Sequence, residues 1–155
     1  MALGLLGGCL VGHGVSLLDS PGPWTRLGTY LTTNVAETVD GSPFPELRPR
    51  RYAVGPQALL TRAAAAAAGL PRWRVVAVVP ERRELRAVVT SAIFRFEDDV
   101  VARVVAEPMR STLLIRAASR VGKGDLGANT GHVLALYEAL ERLGLRGEIE
   151  DAPAG

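Results

Sequence analysis

Residues Trp73 to Ser119 read WRVVAVVPERRELRAVVTSAIFRFEDDVVARVVAEPMRSTLLIRAAS, and this stretch decides the fold. Trp73 to Val79 is rich in β-branched residues, and Pro80-Glu81-Arg82-Arg83 has the chemistry of a turn. Leu85 to Thr90 then alternates Leu85, Ala87 and Val89 against Arg86, Val88 and Thr90, the period of a strand with one face buried. Phe94 to Val105 reads as a third strand, Glu107-Pro108-Met109-Arg110 as a turn, and Ser111 to Ser119 as a fourth strand. Connections this short join antiparallel neighbours, because a parallel crossover needs a dozen or more residues.

Helical patterns flank the strands. Gln57 to Ala68 follows Gly55-Pro56, contains six consecutive alanines from Ala63 and ends at Gly69, so proline opens it and glycine closes it. Asn129 or Thr130 can cap a last helix running to Leu143, in which Val133, Leu136, Tyr137, Leu140 and Leu143 line one face. The expected architecture is α+β, a four-stranded antiparallel sheet with both helices on its apolar face. An apolar N-terminal helix and an irregular strap precede it. The segments are 1–18 (apolar), 19–55 (a Pro/Gly-rich strap), 56–145 (the domain) and 146–155 (a polar tail).

Composition is consistent with a single core. The chain has 155 residues, 48% of them apolar and 22% charged, with a net charge of +2. A chain of this size buries about two thirds of its extended surface and needs no disulfide or metal staple. Cys9 is the only cysteine, and the small net charge gives no argument for nucleic acid. Met1 to Leu18 lacks Lys, Arg, Asp and Glu. As a helix it would span roughly 27 Å, about one bilayer core. Gly4, Gly8 and Gly12 fall four residues apart, a stripe of small residues that lets helices approach closely, so the segment is read as an anchor packed in a membrane or on a partner. Leu6-Gly7-Gly8-Cys9 has the look of a lipoprotein cleavage site, but eight residues without a basic charge make a short leader. His13 is taken as a structural histidine, and no metal is assigned. Trp24 and Tyr30 carry the amphipathic rings found at membrane interfaces.

The run Thr90-Ser91-Ala92-Ile93-Phe94-Arg95-Phe96-Glu97-Asp98-Asp99-Val100, with Ala118-Ser119-Arg120-Val121-Gly122-Lys123-Gly124-Asp125-Leu126-Gly127-Ala128-Asn129, resembles the uncharacterised family called domain of unknown function 1499. The similarity extends from about Asn34 to Leu143. It implies a small protein of bacterial envelopes or plastid-bearing organisms, often lipidated or membrane-anchored, and carries no established reaction. The chain departs from the family's pattern in three places. Asn34-Val35-Ala36 stands near a Cys-x-x-Cys-like segment of other members, Lys123-Gly124 replaces an aromatic-serine pair, and Thr130-Gly131-His132 replaces basic residues.

Gly122-x-Gly124-x-x-Gly127 formally matches a dinucleotide fingerprint, but no apolar strand follows Leu143 and nucleotide is excluded. The glycines read instead as a turn. Asp98 and Asp99 are adjacent on a strand and point to opposite faces, so they cannot act as a carboxylate pair. Asp98 shares the phase of Phe94, Phe96, Val100, Ala102 and Val104, which makes it the buried one, held in a structural ion pair by Arg116 or Arg120 or by amides of the following loop. The candidates for contact with a ligand or partner are Arg48, Arg50, Arg51, Arg120, Lys123 and Asn129. Gly4, Gly8, Gly12 and Trp24 are the candidates for membrane or helix packing. Neither histidine stands in a nucleophile grouping, so no catalysis and no cofactor is expected.

Two functions remain. The first is a non-catalytic, membrane-associated accessory or assembly subunit docking on a larger membrane protein complex and lipid; the family's reach into phototrophs points to a photosynthetic host. The alternative is a soluble envelope protein holding a lipid or small anionic ligand between sheet and helices. Arg26 and Arg48 to Arg51 favour a cytoplasmic domain by the positive-inside rule, whereas the envelope relatives favour the extracytoplasmic side, which is preferred here.

Overall fold

One antiparallel sheet of seven strands, accompanied by three helices, makes up the computed structural model among the residues it describes, which are 14–16, 18–92, 94–122, 124 and 127–150. In chain order the elements are α1 (Pro23–Thr32), β1 (Val35–Glu37), β2 (Arg50–Tyr52), α2 (Pro56–Ala68), β3 (Trp73–Val79), β4 (Glu84–Thr90), β5 (Glu97–Glu107), β6 (Arg110–Ser119), α3 (Ala128–Arg142) and β7 (Glu148–Ile149). Across the sheet the order is β3-β4-β5-β6-β2-β7, and β1 also pairs with β6. All the pairings are antiparallel.

The α+β class and the antiparallel sheet stand, but the count of four strands and two helices is corrected. The difference lies in segment 19–55, which is not an irregular strap. It forms α1 and then lays two three-residue strands along the free edge of β6, with Val35↔Ala118 at one end and Tyr52↔Ser111 at the other. Between them the Thr38 amide donates to the Ile115 carbonyl at 2.9 Å, and the Ile115 amide donates to Thr38 Oγ1 at 2.8 Å. An edge strand left bare would expose a row of unpaired donors and acceptors, and the strap covers it. The polar tail contributes β7, which pairs with β2.

The core lies between the sheet and α2 and α3. Leu85, Val89, Val100, Ala102, Val104, Leu113, Ile115 and Ala117 of the strands meet Leu59, Leu60, Ala63 and Ala67 of α2 and Val133, Leu136, Tyr137 and Leu140 of α3. Small alanine side chains let α2 lie close to the strands, and each buried leucine contributes about 2 kcal/mol of transfer free energy. Leu113→Ala in this packing would cost roughly 2–5 kcal/mol. The third helix, α1, packs outside α3 through Tyr30 and Leu134.

The other face of the sheet is laced with charge. Glu84 lies between Arg86 (2.6 Å) and Arg103 (2.7 Å), and Arg120 binds Glu97 and Asp99. The exposed pairs of Arg120 contribute little, whereas the Glu84 carboxylate is buried beneath its two arginines.

β5 starts at Glu97, later than the pattern of Phe94 to Val105 suggests. Arg95 adopts a left-handed φ of 55°, and the Ser91 amide donates to the Phe96 carbonyl at 2.8 Å, closing a loop where strand was expected. Phe94 and Phe96 therefore leave the inward phase and are 66% and 47% exposed.

Candidate functional site

The strand register gathers one row of residues at one end of the sheet. Trp73 pairs with Val89, Val89 with Asp98, and Asp98 with Ser119, so four strands contribute to the row. The start of α3 sits over it. His132 Nε2 lies 2.8 Å from Asp98 Oδ2, and the imidazole meets Trp73 edge to face with ring centroids 6.1 Å apart. Asp98 is 3% exposed, on the inner face with Val100, Ala102 and Val104.

This corrects the partner expected for Asp98. Arg120 turns to the opposite face, where its guanidinium binds Asp99 (2.9 and 2.6 Å) and Glu97. Its hydrogen bonds hold the Asp99 carboxyl below the ordinary carboxylate range and raise the Arg120 guanidinium further. Arg116 is exposed opposite Glu37 of β1 on that same outer face. Strand phase forbids either arginine from reaching Asp98 through the sheet.

Ser119, Gly122 and the first turn of α3 are tied to one another and to Asn34, which precedes β1. Asn129 is fully buried and donates from Nδ2 to the Asn34 carbonyl (2.8 Å) and to Ser119 Oγ (2.9 Å), while Asn34 Nδ2 donates to the Gly122 carbonyl at 3.0 Å. Asn129 is thus a structural knot rather than a surface contact, and neither it nor Thr130 caps the helix. The N-cap is Gly127, in the left-handed region at φ 83°. Gly124 is required for a different reason, since a Cβ there would come within 2.7 Å of the Leu31 carbonyl carbon and 3.0 Å of the Tyr30 carbonyl oxygen.

The basic cluster of the strap is committed internally. Arg48 Nε donates to the Ser42 carbonyl at 3.0 Å. Arg50 binds Glu141 at 2.6 Å and lies 4.5 Å over the Tyr137 ring, and Arg51 meets Asp40 at 3.0 Å and Glu150 at 3.1 Å. These three arginines fasten β2 between α3 and its neighbours, so the expectation of a free anion-contacting cluster is corrected. Arg26, read from the sequence only as a topology signal, is buried beneath Phe44. It binds Glu46 and donates to Tyr30 Oη (2.9 Å) and to the carbonyls of Asp19 (3.1 Å) and Ser20 (2.5 Å).

Trp24 is 83% exposed at the start of α1. Gly4, Gly8, Gly12, His13, Cys9 and Lys123 lie outside the described residues. Among the described residues no helix is long and apolar enough to cross a membrane.

The space between sheet and helices, where a ligand was expected, is filled by the side chains of the core. A cleft beside α1, lined by Thr29, Tyr30, Thr33, Val35, Phe44, Leu47 and Thr130, has about 20 Å³, room for a single water. Open volume instead appears just beyond the Trp73-Val89-Asp98-Ser119 row. There Arg72, Thr90, Ser91, Ala92 and Arg95 line a groove of about 600 Å³. Both arginines are exposed, hold left-handed backbone (φ 63° and 55°) and have no ion-pair or hydrogen-bond partner for their guanidinium groups among the described residues. The carboxylates closest in register are already taken, Asp98 by His132 and Glu97 by Arg120 and Arg74. The groove therefore keeps uncompensated positive charge beside two hydroxyl-bearing residues.

The sequence placed Arg95 on a strand beside Glu97 and left Arg72 unremarked. His132 carried a usable signal, because it stands four residues before Leu136 and eight before Leu140, on the inward face of α3.

A single antiparallel sheet covered on one face by helices defines an α+β domain. The chain belongs to the family described as protein of unknown function (DUF1499), whose model matches residues 29–140 and so takes in the whole sheet except β7. No curated protein and no solved structure matches it significantly.

Proposed function

We propose that the protein is a non-catalytic binding module that takes an anionic group into the groove between Arg72 and Arg95. The observation that carries this reading is the pair of unpartnered guanidinium groups facing one open groove, in a chain whose other described arginines at the strap and outer sheet are mostly bound to carboxylates. Guanidinium forks match carboxylate and phosphate oxygens, and Thr90 and Ser91 add hydroxyl donors. The alternative expected from the sequence is thereby favoured in its ligand class, with the site moved from the sheet-helix interior to the end of the sheet.

The setting in this reading is the membrane. Segment 1–18 tethers the domain, on the extracytoplasmic side, and the module serves as an accessory to a larger membrane assembly. Titration of the full chain with inorganic phosphate, followed through the arginine side-chain resonances, tests the binding. Saturable shifts at Arg72 and Arg95 are expected, together with shifts of the groove-lining Thr90 and Ser91 amides that disappear in the Arg72→Ala/Arg95→Ala variant. Shifts that survive the double substitution, or no shifts at all, would refute it.

A further inference from the structure

We infer that the anion taken by the groove is the headgroup phosphate of an anionic phospholipid, and that the loop bearing Phe94 and Phe96 docks the domain onto a lipid surface. The inference rests on the anion-binding reading and adds its ligand class. Its independent support is the pair of phenylalanines. The chain has three phenylalanines, and only Phe44 is buried, against Arg26. Phe94 and Phe96 stack on each other with centroids 5.6 Å apart and planes 18° apart, and both remain exposed, at 66% and 47%. An isolated exposed apolar residue needs no explanation, but two stacked rings keep apolar surface in water without entering the core.

Arg95 lies between the two rings in sequence and lines the groove with Arg72. Phenylalanine rings on a surface-bound segment bury at the boundary between headgroups and acyl chains, and arginines beside them reach the phosphates. A soluble anion would use the arginines and leave the rings idle. A lipid surface uses both, and the charge pattern selects an anionic one, since no described carboxylate lines the groove. The hydrogen bonds from the Ser91 and Phe96 amides, to the Phe96 carbonyl at 2.8 Å and to Ser91 Oγ at 2.9 Å, hold the loop in this presentation before any contact is made.

The test uses the full chain and two kinds of vesicle, phosphatidylcholine alone and phosphatidylcholine mixed with phosphatidylglycerol. Segment 1–18 can contribute equally to both, so the quantity read is the gain on adding phosphatidylglycerol. Arg72→Ala/Arg95→Ala should reduce that gain by roughly 25-fold, given about fivefold per arginine at an anionic surface. Phe94→Ala/Phe96→Ala should weaken binding to the mixed vesicles while leaving phosphate titration unchanged. In Phe94→Trp, the emission gained over the wild-type background should shift blue and be quenched by brominated acyl chains only when phosphatidylglycerol is present. Phosphate binding without any phosphatidylglycerol dependence overturns the lipid inference and leaves the anion site standing. Loss of neither signal on arginine substitution overturns both.

Discussion

The pair of Asp98 and His132 joins the sheet to α3, and replacing Asp98 measures that joint. The carboxylate is 3% exposed, and its one described partner is His132 Nε2 at 2.8 Å, with the imidazole side chain 15% exposed. Removing one member of a buried pair strands the other, which costs roughly 3–5 kcal/mol when the stranded group stays charged and about 1–3 kcal/mol when it is neutral. The imidazole keeps a small opening to water, which softens the penalty, so Asp98→Ala should cost about 2–4 kcal/mol. At a urea slope of about 2 kcal/mol/M, that lowers the unfolding midpoint by roughly 1–2 M. Asp98→Asn keeps the volume and one hydrogen bond and should recover a substantial part of the loss. Asp99→Ala, one residue along but on the outer face, should move the midpoint far less, because its exposed pair with Arg120 is screened by solvent. Parallel urea titrations of the three variants, together with His132→Gln and the Asp98→Asn/His132→Gln double variant, give the coupling directly. Equal small shifts for Asp98→Ala and Asp99→Ala, or strict additivity in the cycle, would show that the joint contributes nothing and that the reasoning from burial is wrong.

Gly124→Ala should push that position away from the end of α1, visible as faster hydrogen exchange at Leu31 and Thr32; an unchanged pattern would mean the contact has room to give. Arg26→Ala strands Glu46 in a buried site and should cost roughly 3 kcal/mol or more, whereas Arg26→Met/Glu46→Met should be milder than the single variant; the reverse ranking in thermal melts would count against the pair. On the acid side, Arg103 and Arg86 hold Glu84 below its ordinary value of 4.5, and Thr112 and Arg110 do the same for Glu107. Their stabilisation is present above pH 4.5 and disappears as pH falls through the depressed values, so Glu84→Gln should flatten the acid limb of the stability profile. On the alkaline side, burial raises Tyr52 and Tyr137 above their ordinary value of 10, so the unfolded chain loses those protons first and stability should fall as pH rises past 10. A profile flat through that range would contradict the burial of both phenols.

Periodicity made the centre of the sheet legible, and its limits explain the corrections. β4 alternates over seven residues and β6 runs for ten, long enough for the inward set Leu113, Ile115 and Ala117 to declare itself. β1 and β2 have three residues each, and no two-residue period can be read from three positions; they exist because the edge of β6 supplies donors and acceptors that the strap completes. The phase that put Asp98 inside also put Phe94 and Phe96 inside, and it failed for them because a single residue, Arg95, turns left-handed and ends the pattern. That residue then lines the groove. The arginines of the strap show the converse, since Arg50 and Arg51 look like a free basic patch until Glu141 and Glu150 arrive from distant parts of the chain and Asp40 folds back from the strap itself. Charge read along a sequence counts what is present, while a binding site depends on what is left uncompensated after folding. In this molecule Arg72 and Arg95 are the two uncompensated arginines that line one groove together, both placed by backbone turns at which alternation stops.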